Sequence, residues 1–133
     1  MKPFHLTIVT PYGEIYDGQA ESVMVRSIAG DVGILADHTD FVTALGMGLA
    51  KVTIDGTQRR AACIGGMLSV SKGEVALVAT TFEWAENIDV SRAERSAERA
   101  QNVLNNRTSH TSEEIALAEA RLKRALVRTG AAR

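Results

Sequence analysis

The 133-residue chain has one cysteine, Cys63, so no disulfide can form within it. That is in keeping with a reducing compartment. It has two prolines, Pro3 and Pro11, and only 5% aromatic residues. Its core must therefore be mostly aliphatic, and there is little with which to stack nucleic-acid bases. No stretch approaches the ~20 apolar residues of a membrane-spanning helix, so a membrane role is expected only through a partner. The opening "MKPFHLTIVTPYG" carries polar residues and proline through its apolar stretch and does not read as a signal peptide. Net charge is close to absent as well, at −1, which argues against bulk affinity for nucleic acid or anionic lipid.

Catalytic motifs are also missing. There is no GxxxxGK[ST] loop, no GxGxxG, no HExxH and no paired cysteines. His5, His38 and His110 are far apart. Asp37-His38-Thr39-Asp40 is the one carboxylate–histidine cluster, but its residues are consecutive in a loop and read as a solvated turn rather than a metal site. Cys63 sits in an apolar run and reads as a small core residue. The expectation is a protein with no catalytic residues, no metal and no enzymatic activity of its own.

What is present is unevenly divided. Residues 1–88 hold 6 Lys/Arg and 10 Asp/Glu, residues 89–133 hold 9 and 6, and ten of the 11 glycines precede residue 88. The first part has period two. Phe4, Leu6 and Ile8 alternate with His5 and Thr7, Val23 and Val25 with Met24 and Arg26, and Ala50, Val52 and Ile54 with Lys51 and Thr53, and Val75, Leu77 and Ala79 repeat the spacing. Pro11-Tyr12-Gly13, Asp55-Gly56 and Ser71-Lys72-Gly73 supply turns, and Gly65-Gly66 predicts a bulge or close backbone approach. This predicts an antiparallel β-sandwich. The second part has period 3.6. Ala93, Ala97, Ala100 and Leu104 share one helical face behind an N-cap at Asp89, and Thr111 with Glu114 forms a capping box. A second helix carries Ile115, Ala118, Leu122, Ala125 and Leu126 on one side and is expected to end near Thr129-Gly130. The fold class is thus α+β, with a sandwich over residues 1–85 and an antiparallel two-helix hairpin over 86–133. An alanine seam buries little area, so the hairpin is expected to be marginal and able to rearrange.

Arginines are the remaining unusual feature. At 100° per residue, Arg92 and Arg99 fall at nearly one azimuth, with Arg95 about 60° away. Arg124 and Arg128 are one turn apart on the second helix. Two readings stay open on spacing alone. Glu94, Glu98 and Glu119 compensate a solvated surface, or the arginines form a phosphate clamp, for which their permanent charge and forked donors suit them.

The order and spacing of segments along nearly the whole chain resemble the epsilon subunit of bacterial F-type ATP synthase. "TPYGEIYDGQAESVMVRSIAGDVGIL" is similar to that family's opening, and "GGMLSVSKGEVALVA" to its G-G-[FM]-x-x-V segment. "IDVSRA", Ile88 to Ala93, matches the [IL]-D-x-x-R-A signature of ATP-binding members, and "AEARLKRALVR" resembles the last helix. The resemblance implies a regulatory and coupling rotor subunit of a proton-translocating enzyme, peripheral on the cytoplasmic face of the bacterial membrane. Its sandwich would contact the gamma subunit and the ring of c subunits, and its hairpin would inhibit ATP hydrolysis by extending into the alpha and beta subunits. ATP, as a regulatory ligand, would favour the folded hairpin. The implied ATP site is Glu83, Ile88, Asp89, Arg92, Ala93 and Arg99, with Arg124 and Arg128 from the second helix. Arg95 is expected to face solvent. Asp31 and His38 match positions in the c-ring contact region. Trp84 replaces a smaller or charged residue of the family and is expected to cover the sandwich. The alternative keeps the rotor role but has the arginines contact the catalytic beta subunit, with no nucleotide bound.

Overall fold

Eight strands precede two helices in the computed structural model, which describes residues 2–132. The strands are β1 (Phe4–Thr10), β2 (Gly13–Ala20), β3 (Ser22–Ser27), β4 (Gly30–Ile34), β5 (Phe41–Ala44), β6 (Met47–Ile54), β7 (Thr57–Ser71) and β8 (Glu74–Trp84). The helices are α1 (Val90–Asn105) and α2 (Ser112–Ala132). Asp55 and Gly56 both have positive φ, 50° and 76°, and so do Lys72 and Gly73, at 50° and 81°. Two successive positive values make a type I′ turn, whose twist matches the strands it joins. The β6–β7 and β7–β8 hairpins follow from these two dipeptides.

The strands form one hydrogen-bonded path, β2-β1-β8-β7-β6-β3-β4, with β5 paired to β7 beside it. β7 is 15 residues long and serves both layers of the sandwich. Its first half, Thr57 to Ile64, pairs with β6, and its second half, Met67 to Val70, pairs with β5. The change of layer falls at Gly65-Gly66, with φ of 70° and 114°. A Cβ on Gly66 would lie 1.9 Å from the Val78 carbonyl oxygen, so the close approach expected there leaves no room for any side chain.

The alternating residues meet between the layers. Leu6, Ile8, Val23, Val25, Ile34, Val52, Leu68 and Leu77 are fully buried. Cys63 lies in the same core, where burial pushes its thiol up to about 12, leaving it unreactive. Trp84 closes one end of this core, edge-on to Phe82 with ring centroids 5.0 Å apart. The Arg59 guanidinium lies 3.8 Å over the Trp84 ring and also pairs with Glu86. One pairing departs from the antiparallel expectation: β1 runs parallel to β8, from His5 opposite Glu74 to Val9 opposite Val78. The whole sandwich separates these two strands in sequence, so no hairpin dictates their relative direction.

Both predicted helix starts form. The Asp89 carboxylate accepts from the Arg92 backbone N–H at 3.0 Å. Thr111 Oγ1 accepts from the Glu114 N–H at 3.1 Å, and Glu114 Oε1 accepts from the Thr111 N–H at 3.3 Å. The end of α2 differs from expectation. It runs through Gly130 to Ala132, because Ala131 packs with Ala62 of β7 and Ile88 and that packing overrides the glycine stop signal. Leu126 also differs, being 56% exposed, since neighbouring Ala125 takes the seam position. The seam itself is Ala93, Ala100, Ala118 and Ala125. α2 lies on β6 and β7, and α1 packs on α2.

A histidine cluster crosses three strands on the outer face of the sandwich. His5 Nδ1 meets Glu74 and His5 Nε2 meets Asp17. Hydrogen bonds to Asp17 and then Glu74 raise the His5 pKa above its ordinary value near 6.5. A raised histidine pKa stabilises the fold fully below the unfolded value, and the contribution disappears as pH rises through the folded value. Thermal melts of the wild type and His5→Gln between pH 5.5 and 9, in ~0.1 M salt, are therefore expected to differ most at the acidic end and to converge at the alkaline end. A constant difference across that range would remove the assignment.

Candidate functional site

The site begins where β8 leaves the sandwich. Glu83 stands opposite Ala62 of β7, on the outer face of its layer, while its neighbours Phe82 and Trp84 point into the core. A single 3-10 turn, Ala85–Asn87, follows, and then Ile88. Ile88 is 8% exposed and packs with Ala62 and Ala131, joined by Leu49 and Val127. This small apolar cluster fastens the start of the hairpin and the end of α2 to the same patch of the sandwich.

Above it lies a cavity of about 420 Å³ lined by Glu83, Asn87, Asp89, Arg92, Ala93, Ser96, Arg99 and Arg128. The helix start sets Asp89 at its mouth. Arg92, Ser96 and Arg99 follow along α1 at helical spacing, and Arg128 arrives from the last turns of α2. Arg128 Nε donates to Glu83 Oε1 at 2.7 Å in a half-buried pair that ties α2 to β8. Arg60 Nη2 donates to the Gly130 carbonyl at 3.1 Å nearby. Ala93 is 4% exposed and forms part of the wall, where a longer side chain would intrude.

Six of the residues named from the sequence thus meet around one space: Glu83, Asp89, Arg92, Ala93, Arg99 and Arg128. Ile88 lies beneath it in the apolar cluster. Arg124 is half-buried one turn before Arg128 and does not line the cavity. Trp84 is in the core and not in the cavity. Arg95 is exposed. Asp31, at the start of β4, pairs with Arg26 at 3.3 Å. His38 lies beyond the other end of β4, with Nδ1 2.7 Å from the Thr39 carbonyl oxygen and its ring edge-on to Phe41. Sequence reasoning missed Asn87 and Ser96, and the helical spacing of Ser96 between Arg92 and Arg99 is the signal that marks it.

The electrostatics bear on the two readings of the arginines. Among the described residues, Arg92 and Arg99 make no side-chain ion pair, and Glu94 and Glu98 pair with neither. Glu119 is taken by Arg107 at 3.4 Å. Two guanidinium groups without partners face a cavity whose carboxylates gather at the Glu83–Asp89 end. Chemically, this is a place for a polar ligand with an anionic portion.

Comparison with known proteins bears on the whole chain. Residues 3–85 match the family described as ATP synthase, Delta/Epsilon chain, beta-sandwich domain, and residues 86–133 match its long alpha-helix domain. The ATP synthase epsilon chain of Caldanaerobacter subterraneus subsp. tengcongensis is 38% identical over 128 residues, covering 96% of this chain and 91% of that one. That of Bacillus velezensis is 41% identical over 128 residues, covering 96% of each. A chain of the Euglena gracilis mitochondrial ATP synthase superposes with a TM-score of 0.85 at 21% identity, over 98% of this chain and 82% of that one. At that identity the superposition speaks for the fold, while the two epsilon chains and the two matched domains speak for descent: the chain belongs to the ATP synthase epsilon chain family.

Proposed function

We propose that this protein is a non-catalytic rotor subunit of an F-type ATP synthase and that ATP bound in the cavity stabilises its folded hairpin. The observation that carries the nucleotide reading is the cavity itself. It has unpaired Arg92 and Arg99 on one helix, Arg128 on the other, and carboxylates confined to one end. Phosphates are repelled by Asp89 and by Glu83, which Arg128 already holds, so the nucleoside belongs at that end and the phosphates belong with Arg92 and Arg99. Arg124, half-buried on the same helix, completes the positive edge of α2 in this reading.

A ligand shifts two states only by its differential affinity for them. This cavity needs α1, α2 and β8 together, so it exists only while the hairpin is folded. Binding at a hundred times Kd would add about 2.7 kcal/mol to that state, a large share for a hairpin seamed with alanine. An extended hairpin would then be free to engage the alpha and beta subunits and to block hydrolysis.

The sandwich offers support for the assembly role. Val42, Met67 and Val78 share the outer face of one layer and are 60%, 51% and 50% exposed. Such a patch fits docking on another subunit, here the gamma subunit, with Asp31 and His38 directed to the c ring. Among the described residues no helix is long and apolar enough to cross a membrane, so attachment to the cytoplasmic face would come through the complex.

Isothermal titration of the full-length chain with ATP tests the nucleotide reading. Saturable heat and slowed amide exchange across both helices are expected. Absence of both at millimolar ATP would leave only a rotor role without a ligand, with the arginines free to meet the beta subunit.

A further inference from the structure

We propose that Arg121 holds the terminal phosphate of a nucleoside triphosphate and sets a preference for triphosphate over diphosphate; this rests on the nucleotide reading above. Arg92 and Arg99 are seven residues apart on α1, and Arg121 and Arg128 are seven apart on α2. Seven residues fall about 20° short of two turns and rise about 10.5 Å, so each pair forms a straight two-rung stripe. Antiparallel packing sets Arg128 against the start of α1 and Arg121 further along it.

A second cavity, also about 420 Å³, confirms that register. It is lined by Arg121, Leu117 and Glu114 of α2 and by Ser96, Arg99 and Val103 of α1, among others. Ser96 and Arg99 line both cavities, so the two form one groove with Arg99 at its middle. From Asp89 to Val103 this groove spans on the order of 20 Å. Its far end holds one lining carboxylate, Glu114, which is already engaged by His110 Nδ1 at 2.9 Å and by the Thr111 N–H. Arg121, like Arg92 and Arg99, makes no ion pair among the described residues. Ala100, Val103, Leu117 and Ala118 supply the apolar part of the lining beside Arg121.

A nucleoside seated at the Glu83–Asp89 end sends its phosphates along this groove. The second phosphate reaches Arg99, and only a third reaches Arg121. The test is calorimetric titration of the full chain with ATP and with ADP, for the wild type, Arg121→Gln, Arg121→Lys and Arg107→Gln. Arg107→Gln removes the same charge from outside the groove.

In Arg121→Gln, ATP affinity should fall about tenfold, the loss of one charge-assisted contact, while ADP affinity stays within about twofold. Arg121→Lys should fall between the two, and Arg107→Gln should match the wild type. The proposal is overturned if Arg121→Gln leaves the ATP-to-ADP ratio unchanged, or if Arg107→Gln lowers it equally. Wild-type protein that binds no ATP would overturn the nucleotide reading together with this one, whereas an unchanged ratio in Arg121→Gln would overturn this one alone. Thermal melts of each variant establish that the fold is retained.

Discussion

Gly66→Ala is expected to prevent the sandwich from holding its native form. The added Cβ would lie 1.9 Å from the Val78 carbonyl oxygen and 2.7 Å from the Ala79 Cα. Both atoms are backbone in the middle of the longest strand pairing, so neither can swing aside. The φ of +114° adds conformational strain for any L side chain. Strain of about 1–3 kcal/mol and overpacking of about 1–3 kcal/mol together put the cost near 4 kcal/mol. A domain with about 5–15 kcal/mol in total loses much of its stability to that change. Gly56→Ala is the natural control, since its φ is +76° but nothing lies within 4 Å of the new Cβ. Urea denaturation should show Gly66→Ala severely destabilised or unfolded and Gly56→Ala lowered by about 1 kcal/mol. Equal costs would mean that the close approach of β7 and β8 is not what the glycine serves.

The second large effect is on ligand binding. Replacing Arg92 and Arg99 together by alanine should weaken ATP binding about a hundredfold. Each charge-assisted hydrogen bond is worth roughly 1.5–3 kcal/mol, and the exposure of both side chains places each at the low end, about tenfold apiece. The two sit about two turns apart with no shared protein partner, so near-additivity is expected. Arg95→Ala, on the same helix but outside the cavity, should bind like the wild type. The double variant should melt close to the wild type, since neither side chain is paired. A double variant that binds ATP normally would detach these arginines from any phosphate.

Much of this architecture is legible in the amino-acid order because it is local. The alternation of Phe4, Leu6 and Ile8, the Asp55-Gly56 turn and the Asp89 cap each express a physical preference within a few residues. Non-local features are not legible in that way. Nothing near β1 or β8 states that they run parallel, because their pairing is decided by closure of the whole sandwich. The end of α2 is obscured by Gly130, whose intrinsic cost is overcome by the packing of Ala131 on distant Ala62. The site shows both cases. Arg92 and Arg99 share an azimuth that spacing reveals. The match of Arg128 to Arg121 across seven residues is present in the order too, but it gains meaning only once antiparallel packing sets one stripe beside the other. Arg124, one turn from Arg128, has the more conspicuous spacing and lies outside both cavity walls.

The bonds that fasten the hairpin are crowded at one end. Arg128 to Glu83, Arg60 to Gly130, and the Ile88 cluster all lie by the base of α2. The helix extends about 30 Å, and its other end holds the inter-helix loop. Mechanically, this is a lever clamped at its root. A sideways push on the loop multiplies at the clamp and loads its bonds one after another, as in peeling tape. A push along the axis loads them all at once and meets far more resistance. The same folded hairpin is therefore soft in one direction and stiff in another, and the direction from which a neighbour presses matters as much as how hard.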